Sequence, residues 1–168
     1  MTTPRILIAC VGNIFLGDDG FGTEVALRLE RRPLPPGVIL KDFGIRALDL
    51  AYALLDPHEL IILVDACARG GEPGTVYLLE PDPSEEHTSG ALVNAHAMNP
   101  TGVLRMVKSM GGPAGKVLIV GCEPLDLGSE EGKLGLSDPV LAAVDQAVVM
   151  IETLVSEKLA KEPVLQSP

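Results

Sequence analysis

The fold of this 168-residue chain is decided by residues 5–12, with the sequence RILIACVG. Six consecutive apolar residues, from Ile6 to Val11, end at Gly12. A strand with one solvent-facing side alternates apolar and polar residues, whereas an unbroken apolar run is typical of a parallel strand covered on both faces. The run therefore predicts a first strand buried within an α/β sheet.

Outward from this strand, the chain alternates between strand-like and helix-like segments. The other predicted strands are residues 38–43, 60–65, 75–80 and 116–121, and the predicted helices are residues 21–32, 47–55, 99–110 and a last helix opening at 137–139. This alternation predicts one three-layer α/β/α domain over residues 1–160, with a five-stranded, mostly parallel twisted sheet. Nine residues between Asp65 and Thr75 are too few for a parallel crossover, so the 75–80 strand is expected to be an antiparallel edge strand.

Segments without periodic patterning complete this outline. Residues 81–90, which are polar and acidic, and residues 125–136 are expected to be loops. The polar tail, residues 161–168, is expected to fray.

Charge and cysteine content narrow the class of protein. A net charge of −10 argues against binding to nucleic acid or to an anionic membrane, because both need basic surfaces. No run approaches the roughly 20 apolar residues that span a bilayer, and the apolar start leads into a glycine-rich turn instead of a signal-peptide cleavage site. The three cysteines are widely spaced and none forms a C-x-x-C pair, which favours a reducing cytoplasm.

Acidic residues and a histidine lie near the predicted carboxyl ends of the strands, where doubly wound sheets bind ligands. Asp18 and Asp19 lie in the glycine-rich loop after the first strand, and Asp65 ends the third. His96 precedes the helix that leads to the fifth strand. Carboxylate oxygens and an imidazole nitrogen suit a borderline divalent ion, so Asp19, Asp65 and His96 form a candidate metal-binding set.

Each of these residues also has a structural interpretation. Asp18 or Asp19 would cap the helix that follows, and Asp65 would be solvated at a strand end or accept hydrogen bonds from loop amides. A lone histidine such as His96 would be structural or an exposed polar residue. The sequence has neither G-x-G-x-x-G nor a phosphate loop, which argues against a nucleotide-binding protein. It also has neither the H-E-x-x-H motif of zinc proteases nor the G-x-S-x-G motif of serine hydrolases. The remaining histidines and two cysteines are expected in structural or surface positions: His58 and His87 at the surface, Cys10 and Cys122 buried.

Five segments, taken in order, closely resemble the nickel-iron hydrogenase maturation endopeptidases. They are residues 12–22 (GNIFLGDDGFG), 63–66 (LVDA), 96–100 (HAMNP), 121–124 (GCEP) and 135–137 (GLS). The resemblance implies an endopeptidase that removes the C-terminal extension of a hydrogenase large-subunit precursor after nickel insertion. It also implies that Asp19, Asp65 and His96 contact that nickel, which the precursor supplies, and that they serve the cleavage. We expect a monomer whose partner is the precursor.

The sequence departs from the family pattern at two places, and the mechanism stays open. Some members have Glu where this chain has Asp19, and better-known members carry Asp-Gly-Gly-Thr where residues 42–45 are DFGI, which keeps only Asp42 and one glycine. Nickel would polarise the scissile carbonyl or activate a water. Alternatively, nickel would be only a recognition handle while a carboxylate such as Asp42 assists the water. A different class, a non-catalytic module or chaperone that senses the nickel-loaded precursor, would carry the same residues.

Overall fold

The structure, a computed structural model, describes residues 5–82 and 99–161. Its elements in chain order are β1 (Ile6–Val11), a 3-10 turn (Gly17–Gly20), α1 (Phe21–Glu30), β2 (Val38–Gly44), α2 (Ala47–Leu55), β3 (Leu60–Ala66), β4 (Val76–Leu79), α3 (Pro100–Ser109), β5 (Lys116–Cys122) and α4 (Asp138–Ala160). Every predicted helix and strand is present, and the predicted ends differ from these by no more than two residues. His87, His96, most of the predicted 81–90 loop and residues 162–168 of the predicted tail lie outside the described residues.

The five strands form one mixed sheet in the order β2-β1-β3-β5-β4. β1 pairs in parallel with β2 on one side and with β3 on the other, and β3 pairs in parallel with β5. β4 pairs antiparallel with β5 at the edge, which confirms the prediction from the short connection. Because β1 lies between two strands and under helices on both faces, all six of its residues are buried.

Side chains that alternate along the strands build a separate apolar core on each face of the sheet. Ile8, Cys10 and their even-numbered neighbours pack against α1 and α4, and Leu7, Ala9 and their odd-numbered neighbours pack against α2 and α3. This double burial is the physical reason for the continuous apolar run in β1. The predicted α/β/α layers and the buried positions of Cys10 and Cys122 are confirmed.

Helix α4 is the one helix within the described residues that is long and apolar enough, by length and composition, to cross a membrane. In the fold it is a core helix. Val140, Val144 and Ile151 lie on one stripe and are fully buried in the core that faces α1 and the sheet, while Leu141 and Val149 on other faces are exposed. An apolar stripe with exposed flanks is typical of a helix that covers a sheet.

Candidate functional site

The loop after β1 folds tightly over the carboxyl ends of β1 and β3. A Cβ atom at Gly22 would overlap the carbonyl oxygen of Val11 and lie 2.7 Å from that of Val64. Gly12, at φ +147°, packs directly against the backbone of Asp19. Because only glycine allows these approaches, α1 begins against both strand ends and the 3-10 turn lies over them.

The 3-10 turn presents the partly buried side chain of Asp19. Its Oδ2 accepts a hydrogen bond from the backbone N–H of Asn13, at 2.9 Å. Burial raises the pKa of the Asp19 carboxyl above its usual value, and the Asn13 hydrogen bond opposes that rise without cancelling it. Oδ1 has no hydrogen bond within the part of the chain that the structure describes.

Asp65 is the penultimate residue of β3 and lies in register with Gly121 of β5. One carboxylate oxygen accepts a hydrogen bond from the N–H of Ala66, at 2.9 Å. Burial raises the pKa of Asp65 well above its usual range, and the nearby negative charge of Asp19 raises it further. No lysine or arginine among residues 5–82 and 99–161 forms an ion pair with either carboxylate. The pair therefore forms an electronegative site that favours a cation or a shared proton.

The chain after Asp65 is tied to the end of β5. The N–H of Cys67 donates to the carbonyl oxygen of Cys122 at 2.8 Å, and the N–H of Arg69 donates to the buried carboxylate of Glu123 at 2.7 Å. A Cβ atom at Gly121 would lie 2.6 Å from the sulfur of Cys67, so glycine leaves the space beside Asp65 that this thiol occupies. Burial, followed by the charge of Asp65, raises the pKa of Cys67 to about 12, as expected for a thiol that is not activated.

Asp18 does not cap α1, and neither does its neighbour Asp19; the capping interpretation is wrong. Gly20 is the N-cap residue, and no side chain bonds to that helix end. The side chain of Asp18 is fully buried and accepts four hydrogen bonds, from the N–H groups of Leu125 (2.8 Å), Asp126 (2.9 Å) and Ser137 (2.7 Å) and from the Ser137 hydroxyl (2.8 Å). Burial alone would raise its pKa, but these hydrogen bonds outweigh burial and lower it. Sequence reasoning missed this role because the partners lie more than 100 residues away.

Asp42 lies on a different part of the sheet from the Asp19–Asp65 pair. It is in register with Cys10 on β2, the strand on the far side of β1 from β3. Strand alternation places Asp42 on the Cys10 face, whereas Asp65 continues the face of Leu63. Its Oδ1 accepts the N–H of Gly44 at 2.9 Å. The participation of Asp42 in catalysis stays a prediction.

His58 is not at the surface, contrary to the prediction. It is only 9 % exposed, and its Nε2 lies 3.1 Å from the carbonyl oxygen of Ala53 at the end of α2. The backbone carbonyl of His58 packs directly against Gly115, before β5. The connection from α2 to β3, which contains His58, therefore lies at the amino ends of β3 and β5. Asp65 lies at the opposite, carboxyl end of β3, so His58 cannot join the site.

The described site contains two of the three residues in the predicted metal-binding set. The negative charge of Asp19 acts on Asp65, so these two carboxylates lie near each other, whereas His96 lies outside the described residues. The metal-binding role of the three residues stays a prediction. Within residues 5–82 and 99–161, no group of three or more His, Cys, Asp or Glu side chains is arranged to hold a metal ion. The described carboxylates can therefore supply oxygen ligands to an ion but do not enclose one by themselves.

Comparison with known proteins agrees with this architecture. The family model of the hydrogenase maturation proteases matches residues 23–154. A candidate hydrogenase maturation protease from Methanocaldococcus jannaschii is 34 % identical over 154 residues, which cover 90 % of this chain and 96 % of that protein.

Solved structures of maturation peptidases share the fold. The hydrogenase maturating endopeptidase HybD from Escherichia coli aligns over 92 % of this chain and 93 % of its own, with a TM-score of 0.76 and 25 % identity. A hydrogenase 2 maturation peptidase from a Thaumarchaeota archaeon aligns over 89 % of this chain and 97 % of its own, with a TM-score of 0.65 and 35 % identity. Because the family match spans most of the chain, this protein belongs to the hydrogenase maturation protease family.

Proposed function

We propose that this protein is an endopeptidase that removes the C-terminal extension of a nickel-iron hydrogenase large-subunit precursor, and that it acts after nickel has been inserted. The observation that carries the proposal is the pair of carboxylates, Asp19 and Asp65, at the carboxyl edge of β1 and β3. They raise the local negative potential, and within the described residues no basic side chain neutralises them. A cation brought by the substrate would relieve this repulsion.

The hydrogen bonds of the two carboxylates favour such a substrate-borne ion. Asp19 is held through Oδ2 and Asp65 through Oδ1, each by one backbone N–H group. Among the described residues the second oxygen of each carboxylate has no hydrogen bond, so it is available to a ligand. We propose His96 as the third contact, which adds an imidazole nitrogen suited to nickel. A nickel ion already coordinated by the precursor needs only a few further ligands, so the free enzyme need not hold one.

The reaction itself would be hydrolysis of one peptide bond. The oxygen of a water molecule bonds to the scissile carbonyl carbon, the C–N bond breaks, and the proton passes to the departing amine. Asp19, Asp65 and His96 would hold the nickel of the precursor, and the ion would supply polarisation of the scissile carbonyl or of the water. Asp42 would assist the water only if the substrate reaches across the carboxyl end of β1.

The surface beside Asp19 supports a polypeptide substrate. Five exposed apolar side chains stand on the loops that follow β1 and β5: Ile14 (46 % exposed), Phe15 (61 %), Leu125 (59 %), Leu127 (44 %) and Leu134 (70 %). The two loops are joined, since the N–H of Lys133 donates to the carbonyl oxygen of Phe15 at 2.8 Å. Exposed apolar side chains grouped at a site are typical of a surface that contacts another chain.

A cleavage assay tests the proposal directly. Purified nickel-loaded precursor is incubated with the protein, and loss of the C-terminal peptide is followed by mass spectrometry. We expect cleavage by the wild type and none of nickel-free precursor. Asp19→Asn, Asp65→Asn and His96→Ala should each lower the rate by about 100-fold or more.

Two matched controls separate the site from general effects of substitution. Asp145→Asn repeats the Asp-to-Asn change on the exposed face of α4. His87→Ala repeats the His-to-Ala change at a residue outside the proposed set. Both should cleave at the wild-type rate. A normal rate for His96→Ala would show that the set of three is wrong. A stable complex with an intact precursor tail would favour the non-catalytic binding module.

A further inference from the structure

We propose that Asp18 is a positioning residue, which fixes the Asp19 carboxylate by fastening the 3-10 turn to the loop between β5 and α4. The inference rests on the proposed function only for the role of Asp19 in cleavage. The position of Asp19 follows from its contacts in the structure. Asp18 itself is fully buried and cannot contact a substrate. Its effect on the reaction must therefore pass through the residues that it holds.

The loop between β5 and α4, residues 123–137, depends on outside contacts for its position. It forms no helix or strand, and its one bridge pairs Lys133 with Leu16 of the loop after β1. The Asp18 carboxylate binds this loop at both of its ends, at Leu125 and Asp126 on one side and at Ser137 on the other. One buried side chain thus holds both ends of a connection of more than ten residues.

Backbone hydrogen bonds hold the 3-10 turn to the same loop. The N–H of Asp18 donates to the carbonyl oxygen of Asp126, and the N–H of Gly17 donates to that of Lys133, both at 2.8 Å. Gly17, at φ +56°, lies so close to Asp126 that a Cβ atom would stand 2.5 Å from its carbonyl oxygen. Turn and loop therefore form one unit in which Asp18 is the buried side-chain link.

Asp19 has little else to fix it. Its side chain has one hydrogen bond within the described residues, from the N–H of Asn13, and its own N–H donates to the carbonyl oxygen of Leu16 at 3.1 Å. Both partners belong to the loop that the 3-10 turn continues. The place of the Asp19 carboxylate thus depends on how the turn is held, and Asp18 supplies the buried side-chain part of that contact.

Ser137 offers a milder perturbation of the same contact. It is the N-cap residue of α4, but its side chain makes no capping hydrogen bond. Its hydroxyl donates to Oδ2 of Asp18 instead, at 2.8 Å. Ser137→Ala therefore removes one of the four hydrogen bonds to Asp18 without removing a helix cap.

Hydrogen exchange of the Asn13 amide, measured by NMR, tests the inference without reference to activity. This amide is hydrogen-bonded to Asp19 only when the carboxylate is in place. We expect Asp18→Asn to accelerate its exchange by about tenfold or more, and Ser137→Ala to have a smaller effect of the same sign. The control is Ile151→Val, which lowers stability in the core of α4 and should leave Asn13 exchange near that of the wild type.

Two results would overturn the inference: Asn13 exchange within twofold of the wild type in Asp18→Asn, or equal acceleration in Ile151→Val. If Asp18→Asn does not fold, Ser137→Ala is measured instead, and Asn13 exchange within twofold of the wild type again overturns the inference. A second arm measures precursor cleavage, where Asp18→Asn should lower kcat by about tenfold and leave KM within twofold. If the wild type does not cleave the precursor, the proposed function fails, and the exchange arm still decides the role of Asp18.

Discussion

Replacing Gly22 with alanine should destabilise the protein, although alanine is the better helix former. Gly22 is the second residue of α1, and its missing side chain is what lets the helix begin against two strand ends. An added methyl group would overlap the carbonyl oxygen of Val11 and lie 2.7 Å from that of Val64. These are backbone atoms of two central strands, so neither can rotate away as a flexible side chain would.

The magnitude follows from two opposing contributions. Overpacking a close contact costs about 1–3 kcal/mol, and the upper part of that range applies because the clash is with backbone. Alanine recovers about 1 kcal/mol through its helix propensity. We therefore expect a net loss of about 1–2 kcal/mol, which lowers Tm by about 2–8 °C in a domain of this size.

Gly102 in α3 provides the matched control. It is exposed, and the nearest atom to an added Cβ would be 3.9 Å away, in Asn99. Gly102→Ala should therefore raise the free energy of unfolding by about 0.5–1 kcal/mol. Urea unfolding followed by circular dichroism measures both variants, with the denaturant slope required to stay constant. A Gly22→Ala protein as stable as Gly102→Ala would refute the reasoning.

Three further predictions concern a thiol, a helix cap and the core. The pKa of Cys67, raised to about 12, keeps the thiol neutral at pH 8, so iodoacetamide should modify it far more slowly than a free thiol, with a rate that rises with pH. Asp65→Asn should speed this modification, measured by peptide mass spectrometry, and an unchanged rate would contradict the electrostatic contact. Asn99→Ala removes the oxygen that accepts the N–H of Thr101 at 3.0 Å, and should lower the free energy of unfolding by about 0.5–2 kcal/mol in a thermal melt. Ile151→Ala, at a fully buried site, should lower it by about 2–5 kcal/mol; a loss below 1 kcal/mol would show that α4 is not packed as described.

The secondary structure and most of the sheet could be predicted from local patterns. The continuous apolar run of β1, the helical spacing of apolar residues and the Asn99-Pro100 start of α3 each reflect physics that acts within a few residues. The antiparallel edge position of β4 followed from chain length alone, because a short connection cannot cross over a sheet. The proximity of Asp19 and Asp65 also follows from chain order, since carboxyl ends of parallel strands share one edge, whereas their binding of a metal stays a prediction.

Tertiary structure alone decided which of two adjacent carboxylates is buried and which is offered to the site. Asp18 and Asp19 are the same residue type in the same turn, but Asp18 meets four donors contributed by residues 125–137, and Asp19 meets one donor from Asn13. The buried position of His58 also depends on the folded chain, which brings the residue before β5, Gly115, against the backbone of His58. Local sequence determines helices and strands because the interactions that form them join residues close in the chain. The burial of a side chain and the charge of a carboxylate depend on neighbours that only the folded chain brings together.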